Sequence, residues 1–160
     1  MRLLTQTEGG WQYQLSRVEA PALRSLLGLF PLTANVAVKI TQTDTDPKAA
    51  EREKLLNASL AEHREELRRK ARHLLSGDRL KIRRDRCVLS LGLDDRESLL
   101  QILNDLRVES WRALGEPENL DLPANPSESE RVHYNRMSLA GYFECKFLNL
   151  EEERKAATER

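Results

Sequence analysis

The carboxylate of Glu144 is the side chain in this sequence that is best suited to acid–base chemistry. Its neighbours on the face of a helix are all apolar: Met137, Ala140, Phe147 and Leu148. Removing water from a carboxylate raises its pKa, as a catalytic acid requires. Because a lone carboxylate does not make a catalytic constellation, we favour a structural role in which Glu144 pairs with an arginine.

Asn104 and Arg107 lie one turn apart in another predicted helix. The line of this helix that holds Asn104 is otherwise apolar: Leu100, Val108 and Trp111. We therefore expect Asn104 to be buried and to need hydrogen-bond partners. Arg107 is our candidate partner for Glu144. The alternative is a small polar pocket built from Asn104, Arg107 and Glu144, which requires all three side chains in one concave site.

The sequence lacks the short motifs of the common nucleotide-binding enzymes, zinc proteases and serine hydrolases. On their helices, His63 and His73 would be about 15 Å apart, and His133 and Cys145 about 18 Å apart. Neither pair can share a metal ion or act as nucleophile and base, whereas a pair of Cys87 with His73 stays open. We predict no catalytic residues, no metal site, no cofactor and no enzymatic activity.

Charge is unevenly distributed although the 26 basic and 26 acidic residues cancel. Residues 64–86 hold ten basic and four acidic residues, an excess of six positive charges, and residues 94–130 hold ten acidic and three basic residues, an excess of seven negative charges. The basic side chains that could contact phosphates are Arg68, Arg69, Arg72, Lys81, Arg83 and Arg84. Because this block has no aromatic residue to stack on bases, pairing of the two charged surfaces with each other or with a partner is an equally good interpretation.

The elements that must position these residues begin with a predicted hairpin. Residues 2–6 and 11–16 flank two glycines, and apolar residues alternate in the second strand, which predicts one buried face. A short amphipathic helix follows at 19–30, and residues 35–41 are a candidate strand.

The longest predicted helix spans 47–76, with one apolar stripe made of Leu56, Leu60, Leu67, Ala71 and Leu74. On its other face, the spacing predicts ion pairs of Glu65 with Arg69 and of Glu66 with Lys70. Two short strands at 80–83 and 87–91 follow. Asp94, with Glu97 three residues later, is the predicted cap of a helix that ends near Leu114.

An extended linker at 115–128 leads to a last helix at 128–149, which a capping box of Ser127 and Glu130 would open. The apolar face of this helix is so wide that we expect it to be central in the fold. Because strands and helices do not alternate regularly, the sequence predicts an α+β fold with about four helices, an N-terminal β-hairpin and a few further short strands.

The length of 160 residues suits one domain, which we place at 1–150, followed by a charged and frayed tail at 151–160. The two cysteines are far apart and indicate reduced thiols. No apolar run approaches the roughly 20 residues of a membrane span, and none resembles a signal peptide. We predict a cytoplasmic protein with no membrane partner.

Several short motifs follow one another in a recognisable order: Gly9-Gly10-Trp11-Gln12-Tyr13, Glu19-Ala20, Leu23-Arg24-Ser25-Leu26-Leu27, Leu103-Asn104-Asp105-Leu106-Arg107, Tyr134, Leu139 and Tyr142-Phe143-Glu144. This order resembles a bacterial family known as domain of unknown function 2017, whose most specific motif is the Leu-Asn-Asp-Leu-Arg run. The family has no established activity, so the resemblance implies no catalytic residues. Its members are often encoded near the adaptor of the Clp protease, which implies a regulatory or proteolysis-linked role.

These observations favour a non-enzymatic interaction or regulatory protein that acts through protein–protein contacts, with another protein or with a second copy as a homodimer. The alternative is a nucleic-acid-binding regulatory protein that uses the basic segment 64–86. A more distant third interpretation is an enzyme or small-molecule sensor centred on Asn104, Arg107 and Glu144.

Overall fold

The structure, a computed structural model, describes residues 1–32, 49–82, 86–119 and 124–158. In these ranges the elements are β1 (Arg2–Thr7), β2 (Gly10–Leu15), α1 (Glu19–Leu29), α2 (Ala49–Leu74), β3 (Leu80–Ile82), β4 (Cys87–Leu91), α3 (Leu93–Ala113) and α4 (Glu128–Thr158). The predicted α+β class, the number of helices and the N-terminal hairpin are confirmed. The strand predicted at 35–41 lies outside the described residues.

The strands form one antiparallel sheet in the order β1-β2-β4-β3. Gly10 opens β2 with φ at 148°, and a Cβ atom there would collide with the carbonyl oxygen of Leu91 on β4. The two strands can therefore approach each other at this point because Gly10 has no side chain.

One face of the sheet is buried, as the alternation in β2 predicts. Trp11, Tyr13 and Leu15 are buried, while Gln12 between them is exposed. Their cross-strand partners on β4 are buried too: Leu91, Leu89 and Cys87. The helices pack against this apolar face, which makes a two-layer fold with one core.

Aromatic rings hold α4 on the sheet. The rings of Tyr13 and Phe147 meet edge to face with centroids 5.0 Å apart, and Phe143 lies 6.3 Å from Phe147. The wide apolar face of α4 is buried only in part, because Val132, Tyr142 and Leu148 are exposed. Its buried side chains form one stripe: Met137, Ala140, Phe143 and Phe147.

The ends of two helices differ from the prediction. The cap of α3 is Gly92, whose N–H donates to Asp95 Oδ2 at 3.0 Å, because the chain turns into the helix directly after β4. The predicted cap at Asp94 is therefore wrong. The capping box of α4 is confirmed, with Ser127 N–H on Glu130 Oε2 at 2.7 Å. The backbone of α4 continues past 149 to Thr158.

The core covers only the C-terminal part of α2. Leu67, Ala71 and Leu74 of the predicted stripe are buried, Leu60 is half-buried and Leu56 is exposed. At 26 residues, α2 is about 39 Å long and extends beyond the elements against which it packs.

Glu19 joins three parts of the chain at the start of α1. Its Oε1 atom accepts hydrogen bonds from the Met1 ammonium group and the Tyr142 hydroxyl, each at 2.6 Å, and its Oε2 atom accepts from Ser16 N–H at 2.8 Å. Burial raises the pKa of Glu19, but these hydrogen bonds together outweigh burial and lower the pKa to about 2.

Replacing Glu19 with glutamine should make the stability of the protein less dependent on acid. A carboxylate whose folded pKa is depressed stabilises the fold above its unfolded pKa of 4.5 and loses that contribution as the pH falls toward about 2. We expect wild type to exceed Glu19→Gln by on the order of 2 kcal/mol at neutral pH, and the difference to vanish in that window. Urea unfolding between pH 2 and 7 measures it, with Glu97→Gln, an exposed change on α3, as the control. A constant difference across this range would contradict the assignment.

Candidate interaction cleft

A cleft of about 590 Å³ opens between α3, α4 and the chain that follows α3. Clefts of roughly 300–1,000 Å³ are typical of ligand sites. The lining residues are Arg107, Val108 and Trp111 of α3, Pro117 and Glu118 of the linker, and Met137, Ser138 and Gly141 of α4. Most of this surface is apolar.

The linker wall of the cleft is fixed by a sharp reversal of the backbone. Gly115 and Glu116 both have positive φ, at 84° and 57°. The left-handed conformation costs a non-glycine residue such as Glu116 roughly 1 kcal/mol. The reversal places the carbonyl of Pro117 on the Trp111 indole, which donates from Nε1 at 3.1 Å. The indole N–H is thereby satisfied, and the ring lines the cleft.

The α4 wall is made of residues one turn apart. Met137 is buried but is not part of the main core cluster, so it forms the inner side of the cleft. Ser138 is exposed, and Gly141 has no side chain to fill the space beside Arg107. Methionine adapts its shape to different neighbours, which suits a surface that binds another molecule.

The structure brings Asn104, Arg107 and Glu144 together in a chain of contacts. Arg107 Nε lies 3.3 Å from Glu144 Oε2, as the sequence predicts, and Arg107 Nη2 donates to Asn104 Oδ1 at 3.0 Å. The prediction that Asn104 is buried is wrong, because its helical line faces the partly open outer side of α3. Of the three side chains, only Arg107 lines the cleft.

Glu144 has the environment that its apolar neighbours predict. Its side chain is 14% exposed. Burial raises the pKa of this carboxyl, and the Arg107 guanidinium opposes part of that rise. The charge of Arg107 is thus already engaged beside the cleft, so the cleft offers a binding ligand mostly apolar surface.

The structure describes four of the six basic residues that the sequence offers as phosphate contacts. Arg68, Arg69 and Arg72 are exposed on α2, and Lys81 is exposed on β3. Arg83 and Arg84 lie outside the described residues. Sequence spacing predicts a pair of Glu65 with Arg69, but the Glu65 carboxylate contacts Arg68 at 3.6 Å and Arg72 at 3.3 Å instead. The predicted pair of Glu66 with Lys70 is present at 3.2 Å.

The two charged blocks meet where α2 ends and α3 begins. Arg79 Nη2 lies 3.1 Å from Asp95 Oδ2, and Arg79 Nε donates to His73 Nε2 at 3.1 Å. Part of the predicted charge asymmetry is therefore neutralised inside the protein.

Cys87 is buried in the sheet and Cys145 is exposed on α4. Across the described ranges, no three His, Cys, Asp or Glu side chains are close enough to hold a metal ion. Nor does any helix in those ranges combine the length and apolarity needed to cross a membrane.

The chain matches no protein-family model, no curated protein and no solved structure. The resemblance to domain of unknown function 2017 therefore stays a prediction from short motifs.

Replacing Arg107 with methionine should raise the pKa of Glu144 further, because burial would then act unopposed. Carbon-13 NMR titration of the glutamate carboxyl groups measures this shift. Arg112→Met removes an exposed charge from the same helix and serves as the matched control, which should leave the Glu144 titration unchanged. An unchanged Glu144 pKa in Arg107→Met would show that the ion pair does not act on this carboxyl.

Proposed function

We propose that this protein is a non-enzymatic interaction protein that binds an apolar segment of a partner protein in the cleft between α3 and α4. The observation that supports this most is that the cleft is open and mostly apolar, while the Trp111 indole and the Arg107 guanidinium that line it are already paired within the protein. Trp111 Nε1 bonds to Pro117, and Arg107 bonds to Glu144 and Asn104.

The composition of the cleft suits a protein partner. Tryptophan, methionine and arginine are enriched at protein interfaces, and buried aromatic side chains often supply most of the binding energy. Ser138 is the one hydroxyl group among the lining residues, and no histidine or cysteine lines the cleft to act with it. This lining favours binding over group-transfer chemistry.

Gly141 is the local feature that folding does not explain. Glycine in a helix interior costs up to about 1 kcal/mol relative to alanine. A Cβ atom at Gly141 would meet only Arg107 Cδ at 3.8 Å, which is an ordinary van der Waals contact. The backbone does not need a glycine there, and what the glycine provides is the open space of the cleft.

A regulatory or proteolysis-linked role follows from the family resemblance alone and forms part of the proposal on that basis. The cleft is compatible with such a role, since a regulator of this kind binds another protein.

Filling the cleft should stabilise the fold and abolish partner binding. Gly141→Leu replaces glycine with a good helix former and places a side chain in the cleft, so thermal stability should rise or hold. A photo-crosslinking amino acid at position 138 should give a discrete protein adduct in cells with wild type and none with Gly141→Leu. Mass spectrometry identifies the adduct, and binding is then repeated with both purified proteins.

Gly28→Leu is the matched control, because Gly28 is also helical and has nothing within 4 Å of a Cβ atom. It should gain similar stability and keep the adduct. If position 138 gives no protein adduct in wild type, or if the Gly141→Leu adduct persists, the proposed function is wrong.

Nucleic-acid binding is the second candidate function, because Arg68, Arg69 and Arg72 are all exposed within a stretch of five residues of α2. Lys81 on the edge strand β3 is exposed as well. Basic side chains on one surface can contact successive phosphates. Glu65 contacts two of the three arginines and weakens this surface, so it ranks below the cleft.

If α2 binds nucleic acid, anisotropy of a labelled duplex should show binding that falls steeply with salt. Replacing Arg68, Arg69 and Arg72 with glutamine should lower the affinity at least about tenfold and flatten the salt dependence. The same change at three other exposed arginines, Arg24, Arg112 and Arg131, is the charge-matched control. Equal losses in both triple variants, or no binding at low salt, would exclude this function.

A further inference from the structure

A second groove, of about 300 Å³, lies at the end of the sheet where β2 begins and β4 ends. Its volume is at the lower limit of the range that is typical of ligand sites, which suits a small molecule. The described residues that line this groove are all different from those that line the α3–α4 cleft, so the groove is a separate candidate site.

A row of polar side chains crosses the groove. Thr5 of β1 pairs in register with Gln12 of β2, and Gln12 pairs with Ser90 of β4. Directly paired residues on neighbouring strands have Cβ atoms about 5 Å apart on one face of the sheet, so one small molecule can contact all three side chains. Thr5 and Gln12 are exposed and Ser90 is half-buried. Their two hydroxyl groups and one amide can each donate and accept hydrogen bonds.

Glycines leave the backbone beside this row uncovered. Gly9 and Gly10 at the hairpin and Gly92 after β4 all line the groove. Because these three positions have no side chains, a ligand can approach the peptide groups of the groove closely.

Trp11 also lines the groove, and it carries a hydrogen-bond donor that the described residues leave unpaired. Trp11 is only 9% exposed, and its Nε1 atom is buried without a partner in the described part of the chain. The Arg96 guanidinium lies 5.0 Å from the centre of the indole ring and holds the ring in place by a cation–π contact. Buried polar groups without partners are uncommon in native proteins, so this N–H favours an acceptor that a bound ligand supplies.

The cation among the described lining residues is already neutralised. Arg79 Nη2 lies 3.1 Å from Asp95 Oδ2. The same oxygen accepts from Gly92 N–H at 3.0 Å, so the carboxylate is held beside the groove. A phosphate or a carboxylate would be repelled by Asp95 and would have to disrupt this ion pair, which favours an uncharged ligand.

We infer that this groove binds a small, uncharged molecule that is rich in hydroxyl groups and about the size of a monosaccharide. The hydroxyl groups of such a molecule donate and accept, as the side chains of Thr5, Gln12 and Ser90 do, and one of them accepts from Trp11 Nε1. The inference does not rest on the proposed function, because the groove and the cleft are separate.

The two tryptophans of the chain allow a test with an internal control. In nitrogen-15 NMR spectra of the full chain, each indole N–H gives one signal, and Trp11→Phe assigns them. Glucose, galactose, ribose and myo-inositol are titrated one at a time. At least one should shift the Trp11 signal saturably, with a dissociation constant in the millimolar range, as expected for a few hydrogen bonds in a small open groove. The Trp111 signal should stay in place, because its N–H is bonded to the Pro117 carbonyl.

Two variants at exposed positions remove parts of the polar row. Thr5→Val and Gln12→Leu should each weaken binding about tenfold, since each removes hydrogen bonds to the ligand. Gln14→Leu is the matched control, because Gln14 lies on the same face of β2 but outside the lining of the groove, and it should bind as wild type does. Gly141→Leu, which fills the cleft, should also bind as wild type does.

A Trp11 signal that none of the four compounds shifts saturably overturns the inference. Equal shifts of both indole signals overturn it as well, and so does wild-type affinity in both Thr5→Val and Gln12→Leu. Sodium phosphate and sodium acetate are titrated in parallel, and saturable binding of either one without binding of a hydroxyl compound would show an anion site instead. The proposed function of the cleft stands or falls separately, with the crosslinking at position 138.

Discussion

The position of α4 depends on the contact between its aromatic side chains and the central strand of the sheet. Phe147 meets Tyr13 edge to face, and Phe143, one turn earlier, packs beside Phe147. All three rings are buried, and aromatic rings supply large apolar contacts in few residues. Two aromatic contacts one turn apart fix both the rotation of α4 about its axis and its position along the sheet. With that rotation, Gly141 faces α3, so the cleft follows from the way in which α4 is held.

The starts of three helices are closed by carboxylates of their own first turns. Glu19, Asp95 and Glu130 each accept a backbone N–H three residues earlier. A phosphate bound at a helix start needs those N–H groups free and no negative charge beside them. At α1, α3 and α4, these carboxylates therefore disfavour an anion at the helix start. Recognition of phosphate would fall to side chains on α2 and β3, where Glu65 already competes, and this is a physical reason to rank the apolar cleft first.

The sequence patterns correctly predicted the features that depend on residues close together in the chain. The alternation in β2 and the two glycines of the hairpin describe neighbours on one strand or one facing pair. The pairing of Arg107 with Glu144, on two different helices, was predicted from the charges of the two side chains and the apolar surroundings of the carboxylate. Asn104 was predicted incorrectly because the buried side of α3 is the one that carries Ile102, Leu103 and Leu106. Leu56 was predicted incorrectly for a different reason. An apolar stripe shows which side of a helix faces the protein but not how far along the helix its neighbours reach. Predicting the cleft would have required knowing how α3, α4 and Pro117 pack together. The glycine at position 141, inside a predicted helix, was a signal of the cleft that the sequence already contains.

Part of the uneven charge of the sequence acts within the seam between α2 and α3. At one end, Arg79 contacts Asp95. Further along, burial and Glu109 raise the pKa of Asp105, and Arg64 of α2 opposes that rise. Charges that are engaged within a protein contribute less to binding a partner, because their attraction to each other must first be lost. The cleft between α3 and α4, by contrast, is lined mostly by apolar surface, and apolar surface is what drives two proteins to associate. Although the sequence is conspicuous for its charge blocks, the proposed binding site is therefore the mostly apolar cleft and not a charged face.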